Sequence, residues 1–213
     1  MKYIFLHGLG QTSDSWKATI EHMNINTDIL TPNLADWLQN KEVNYSSLYE
    51  MLENYCETIN DDYIICGLSL GGILALHYTI AHPDKVFRLA LIGTQYTMPK
   101  RLLKIQNLIF RFIPKSAFLK MGFQKSDFIN LCSSMMELNF EKDLKKIQCP
   151  TLILCGEKDR ANKKASLKLK ELITHTELTI LQDSGHEANI DNPAELAHVL
   201  NAFFKSNYPN LKI

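Results

Sequence analysis

Short apolar runs at Tyr3–Leu6, Asp28–Leu30, Tyr63–Cys66, Val86–Ile92, Thr151–Cys155 and Glu177–Leu181 punctuate the 213-residue chain, each as long as a strand and too short for a helix. Between most of them lie helix-length segments. Tyr45–Ile59, Leu70–His82, Lys163–Thr174 and Pro193–Phe204 carry apolar residues three and four apart, and Asn192-Pro193 supplies an N-cap followed by a proline at the first helical position. Parallel neighbours in a sheet cannot be joined by a tight hairpin, so strands alternating with helices imply crossovers. The alternation therefore predicts an α/β chain, its mainly parallel sheet covered by helices on both faces.

One stretch breaks the rhythm. From Thr97 to Ile147 the pattern is helical and irregular, punctuated by Pro99 and Pro114. With no internal repeat and no Gly/Ser-rich linker, it reads as an insertion within a single domain spanning 1–213, not as a second domain. The 46% hydrophobic content is enough for one filled core.

The 23 basic residues balance the 23 acidic ones, so no global charge favours nucleic acid or anionic membranes; nucleic acid is not expected as a partner, and any charge-driven recognition must be local. The apolar start Tyr3–Leu6 falls short of the roughly 7–15-residue core of a signal peptide, and no run approaches the ~20 residues of a membrane span. Cys56, Cys66, Cys132, Cys149 and Cys155 lack paired ligand spacing and sit mostly in apolar runs. Packing thiols, a reduced cytoplasmic setting and no metal are expected.

After the run Tyr63–Cys66 comes Gly67-Leu68-Ser69-Leu70-Gly71-Gly72, then a helical run. This is G-x-S-x-G between a strand and a helix, a nucleophile elbow. A serine hydroxyl is a weak nucleophile unless exposed beside a base, and a sharp strand-to-helix turn exposes it. The same turn places the Leu70 N–H at a helix N-terminus, where donors are free and the dipole favours negative charge. His7-Gly8-Leu9-Gly10 ends the first strand, and its glycines allow the Leu9 N–H to face the same point as the second donor of an oxyanion hole. His7 itself reads as a hydrogen-bonder holding the loop.

Two more pieces follow late strands: Cys155-Gly156-Glu157-Lys158-Asp159 and Asp183-Ser184-Gly185-His186. Residues just beyond the C-terminal ends of parallel strands share one crevice whatever their sequence separation. His186 is therefore the expected base and Asp159 the acid that fixes its tautomer, with Glu157 and Asp183 as rivals. His22, His77, His82, His175 and His198 fall in helices or at their ends and are expected at the surface or satisfied in the core.

The order Ser69, Asp159, His186, preceded by the His7–Gly10 loop, resembles the α/β-hydrolase superfamily over nearly the whole chain. The resemblance implies the triad Ser69–His186–Asp159, the amides of Leu9 and Leu70 as oxyanion hole, no cofactor, and Trp16 as the aromatic residue that many members carry after the loop, a candidate to line the substrate pocket. It also implies a sheet of about six strands, because the chain opens at the family's third strand, and a small helical cap at 97–147. Asp159 is followed by Arg160-Ala161-Asn162 where the family has apolar residues and a proline. Some members place the acid after the strand matching Val86–Ile92, where this chain has Gly93-Thr94-Gln95.

Between Thr97 and Ser126 lie Lys100, Arg101, Lys104, Arg111, Lys115, Lys120 and Lys125 and no acidic residue, interleaved with apolar ones. One reading is a lid whose Leu102, Ile105, Ile109 and Phe112 line a substrate pocket and whose basic rim attracts an anionic group or a lipid surface. The other is a helix packed on the core with a solvated basic face. The expected activity is hydrolysis of a small carboxylic ester or thioester through an acyl-enzyme on Ser69, a carboxylesterase-like reaction. The same triad in a carbon–carbon bond hydrolase or lyase, and a hydrolase-like receptor with vestigial turnover, are the alternatives.

Overall fold

The computed structural model describes residues 1–25, 28–114, 116, 118 and 124–206, without the side chains at 101, 102, 106 and 111. The strands are β1 (Lys2–Leu6), β2 (Ile29–Leu30), β3 (Tyr63–Leu68), β4 (Val86–Ile92), β5 (Thr151–Gly156) and β6 (Thr176–Leu181). The helices among the described residues are α1 (Lys17–Glu21), α2 (Leu34–Trp37), α3 (Tyr45–Glu57), α4 (Leu70–Ala81), α5 (Lys100–Phe112), α6 (Lys125–Met135), α7 (Lys163–Leu172), α8 (Ala188–Asp191) and α9 (Pro193–Lys205). All six expected strands form, as do the four expected helices, the latter ending within two residues of the periodicity. The short helices α1, α2 and α8 have too few turns for a period to show.

The sheet runs in the order β2-β1-β3-β4-β5-β6, and every pair is parallel. Alternation along each strand splits the core in two. Ile4, Leu6, Tyr63, Ile65, Leu89, Leu91 and Ile153 face α3, α4 and α7, whereas Phe5, Ile64, Cys66, Ala90, Ile92, Leu152 and Leu154 face Trp16 and α9. Helix α4 is apolar on nearly all sides because it is enclosed on nearly all sides: ten of its twelve residues are buried. Asn192 accepts from the Glu195 N–H at the start of α9, ahead of Pro193, as the sequence predicts.

Arg88 is a buried charge on β4. It donates from Nη1 to the Phe203 carbonyl and Ser206 Oγ, both at 2.8 Å, and from Nη2 to the Ser206 carbonyl at 2.5 Å, with the Phe203 ring beside its guanidinium. A cation thus satisfies carbonyls at the C-terminal end of α9, where the helix dipole is negative.

The segment between β4 and β5 is pinched at its base. Thr97 and Asn139 form an antiparallel bridge, the Met98 N–H donates to Leu138 O at 3.1 Å and the Phe140 N–H to Tyr96 O at 2.8 Å. Above this stem, Phe110, Phe118 and Phe128 meet edge to face, and Phe128, Leu131, Cys132 and Met135 continue into the α3/α4 side of the core.

Strand register aligns the C-terminal ends: Leu6 pairs with Gly67, Leu68 with Ile92, Ile92 with Leu154 and Gly156 with Leu181. The first turn of α4 then crosses directly over β1, and a Cβ on Gly71 would lie 2.2 Å from Leu6 O. Alanine in place of a helical glycine ordinarily stabilises by about 1 kcal/mol. For Gly71→Ala the expected sign is reversed, a loss of about 3 kcal/mol from backbone overpacking. Urea unfolding midpoints test this, and a midpoint at or above wild type would contradict the close approach of α4 and β1.

Candidate active site

Ser69 sits between β3 and α4 with φ 53° and ψ −113°, a backbone conformation that L-residues rarely adopt. Two hydrogen bonds hold it there, from its N–H to Ile92 O and from the Ile73 N–H to its own carbonyl, each 2.9 Å. Gly67 is required beneath it, since a Cβ there would fall 2.3 Å from Gly71 O. The turn lifts the Ser69 side chain above the sheet edge.

The loops after β5 and β6 bring the other two residues to it. His186 Nε2 lies 2.9 Å from Ser69 Oγ, and His186 Nδ1 lies 2.8 Å from Asp159 Oδ2. The His186 side chain is 42% exposed while that of Asp159 is 4% exposed, so the imidazole reaches solvent while the carboxylate does not. Burial works to raise the Asp159 pKa, but hydrogen bonds from His186 and Asn162 outweigh it and hold the carboxyl below its ordinary value. An ionised Asp159 selects the tautomer with its proton on Nδ1, leaving the Nε2 lone pair toward Ser69. Gly93, at φ 54°, leaves room for this pair: a Cβ there would stand 3.0 Å from His186 Nδ1 and 3.2 Å from Asp159 Oδ2.

The rival acids lie elsewhere. Asp183 is exposed and paired with Lys158, and Glu157 accepts from the Asp183 N–H. His7 is buried, accepts the Leu34 N–H on Nε2 at 3.0 Å and so carries its proton on Nδ1, donating to Gly8 O at 2.9 Å. It anchors the loop that carries Leu9. Among the described residues, the N–H groups of Leu9 and Leu70 donate to no protein acceptor. Behind that loop, Gln11 and Asn189 exchange amide hydrogen bonds at 3.1 Å, and the Gly8 N–H donates to Gln11 Oε1 at 3.3 Å. The loop after β1 is thereby tied to the segment after His186. This link, the contacts of Asn162 with Asp159 and that of Gln95 with Asn162 escape a motif search because lone amides have no diagnostic spacing.

Trp16 is not a pocket residue. It is fully buried on the α9 face of the sheet, edge-on to Phe5 at 5.1 Å, where it fills core volume. Ile105, Ile109 and Phe112, with Leu108, are 54%, 53%, 80% and 54% exposed, so the α5 stripe faces solvent rather than an enclosed pocket. Leu102, with Arg101, Arg111, Lys115 and Lys120, lies outside the described side chains. Of the remaining basic residues, Lys100 pairs with Glu137 and Lys125 donates to Ile113 O.

All five cysteines are buried and unbridged, and burial pushes the thiols of Cys56, Cys132 and Cys149 up to about 12. Among the described residues no three His, Cys, Asp or Glu side chains group to hold a metal, and no helix is long and apolar enough to cross a membrane.

A sequence profile of the alpha/beta hydrolase family matches residues 3–199. A pimeloyl-[acyl-carrier protein] methyl ester esterase from Aromatoleum aromaticum is 33% identical over 91 residues, 43% of this chain and 36% of that protein. The biotin biosynthesis bifunctional protein BioHC of Teredinibacter turnerae is 22% identical over 98% of this chain and 45% of its own length. The matched regions thus span less than half of these curated relatives. Among solved structures, MenH from S. aureus superposes with a TM-score of 0.76 at 18% identity, covering 96% of this chain and 93% of that one. An alpha/beta hydrolase enzyme from a Medee basin deep-sea metagenome library superposes with a TM-score of 0.81 at 18% identity, covering 100% and 92%.

Burial lowers the His7 pKa, against the opposing effect of its bond to Gly8 O. The unfolded chain therefore binds this proton more readily, and stability falls as pH drops below about 6.5. His77, also lowered chiefly by burial, acts in the same direction. Thermal unfolding of His7→Asn between about pH 7.5 and 5.5 is expected to depend less on pH than wild type, since one titrating group of pKa near 6.5 is gone. Equal slopes would remove His7 from the acid-sensitive set.

Proposed function

The chain belongs to the alpha/beta hydrolase family, and on that premise we propose that it is a serine hydrolase cleaving a small carboxylic ester or thioester through an acyl-enzyme on Ser69. The observation that carries this reading is the unbroken line from Ser69 Oγ to His186 Nε2 at 2.9 Å and from His186 Nδ1 to Asp159 Oδ2 at 2.8 Å. The name of one relative adds support from ester chemistry, since the Aromatoleum aromaticum protein is a pimeloyl-[acyl-carrier protein] methyl ester esterase.

Ser69 Oγ attacks the carbonyl carbon as His186 Nε2 takes its proton. Negative charge developing on the carbonyl oxygen is met by the N–H groups of Leu9 and Leu70, the second at the N-terminus of α4, in a site pre-aimed by the fold. The new imidazolium lies against the Asp159 carboxylate and returns the proton to the departing alcohol or thiol. A water, deprotonated by the same nitrogen, then attacks the acyl-enzyme and frees Ser69. The 97–147 segment, held on its stem beside this edge, acts as the cap, and the exposed α5 stripe favours an open site that admits short acyl groups.

Turnover of p-nitrophenyl esters from acetyl to palmitoyl by wild type and by Ser69→Ala tests the mechanism and the site together. Wild type is expected to prefer short chains, and the variant to retain only the roughly 10³–10⁴-fold advantage over water that binding and the oxyanion hole provide. Undiminished turnover in the variant would remove Ser69 as nucleophile, and no turnover of any ester by wild type would overturn the ester reading.

The acid is tested separately. Asp159→Asn is expected to lower kcat by about 10⁴-fold through the wrong tautomer, while Glu157→Gln and Asp183→Asn stay near wild type. Loss in either of those two with activity kept in Asp159→Asn would move the acid.

A further inference from the structure

Asp159 rests on more than His186. Asn162, three residues on and buried like Asp159 itself, donates from Nδ2 to Oδ2 at 2.8 Å and to Oδ1 at 3.0 Å, and its backbone N–H reaches Oδ1 at 3.3 Å. The same Nδ2 lies 3.1 Å from His186 Nδ1. Gln95, from the loop after β4, donates from Nε2 to Asn162 Oδ1 at 2.7 Å and to Ala161 O at 3.3 Å.

We infer that Asn162, oriented by Gln95, is a positioning residue for the Asp159–His186 pair, an inference that rests on the hydrolase reading above. A backbone carbonyl only accepts, so Ala161 O fixes the nitrogen end of Gln95, and both Gln95 amide hydrogens are then used. The second of them claims Asn162 Oδ1, which turns Asn162 Nδ2 toward the carboxylate.

A flipped Asn162 would set an amide oxygen against Asp159 and beside the His186 Nδ1–H. It would repel the carboxylate and compete for the proton that fixes the tautomer. Gln95 removes that alternative. Because Asp159 and Asn162 are both shielded from bulk water, these hydrogen bonds to an ionised group are not traded for solvent ones.

The test is the rate at which an alkyl fluorophosphonate labels Ser69, with kcat and KM for p-nitrophenyl acetate and thermal unfolding measured alongside. Asn162→Leu is expected to slow labelling and kcat by about 10–100-fold, with KM within about twofold of wild type. Gln95→Met, at a half-buried position, keeps side-chain length but removes the donor, and is expected to cost about tenfold. Gln95→Lys, which restores a donor, is expected to recover most of that loss. In the Asn162→Leu background, Gln95→Met is expected to add nothing further, because its effect passes through Asn162.

Wild-type rates in folded Gln95→Met, equal losses in Gln95→Met and Gln95→Lys, or losses that appear in KM and not kcat would each overturn the positioning role. If wild type is labelled and these variants match it, the inference fails and the hydrolase reading stands. If wild type is not labelled at all, the hydrolase reading fails and this inference with it.

Discussion

Where β3 turns into α4 the two backbones touch and leave no space for a side chain at Gly67, and the same turn of α4 presses on the end of β1 and leaves none at Gly71. Ser69 is held at positive φ between them, a conformation that costs of order 1–3 kcal/mol and persists only when its surroundings over-determine it. Those surroundings are the Ile92 carbonyl from the next strand and the first turn of a helix enclosed on nearly every side. The exposed hydroxyl is therefore a product of core packing. Loosening α4 would relax the turn and lower the hydroxyl toward the sheet.

The remaining residues depend on the sheet being parallel throughout. Each strand delivers its following loop to the same edge, so residues 7–11, 69–70, 93–95, 156–162 and 184–189 become neighbours although the chain separates them widely. Two amide networks then fix the loops against one another: Gln11 with Asn189 beside the loop after β1, and Gln95 with Asn162 beside Asp159. Both use neutral groups, which orient a charged pair without adding a net charge that would compete with it.

Most of this architecture was legible in the residues, because strand-length apolar runs and a glycine-flanked serine between strand and helix are local signals. Order and spacing single out Asp159 over Glu157 and Asp183, but that Asp159 alone of the three is buried is not visible in them. What eluded the sequence is whatever depends on where a side chain points. Trp16 follows the glycine loop, yet the turn carries it through to the opposite face of the sheet. Ile105, Ile109 and Phe112 share a helical face, but spacing alone cannot say whether that face meets protein or water. Asn162 stood out only as a departure from a familiar pattern, and its contacts supply the physical reason for an amide at that place.

Arg88 lies in the centre of the sheet, but the groups that satisfy it stand 115 and 118 residues later. A chain emerging from a ribosome N-terminus first lays down β4 long before Phe203 and Ser206 are free to meet it. Until then the guanidinium stays hydrated, and the sheet face destined for α9 cannot seal around it. The order of synthesis thus keeps one side of the sheet open until α9 arrives, which both covers that apolar face and supplies acceptors to the buried guanidinium on β4.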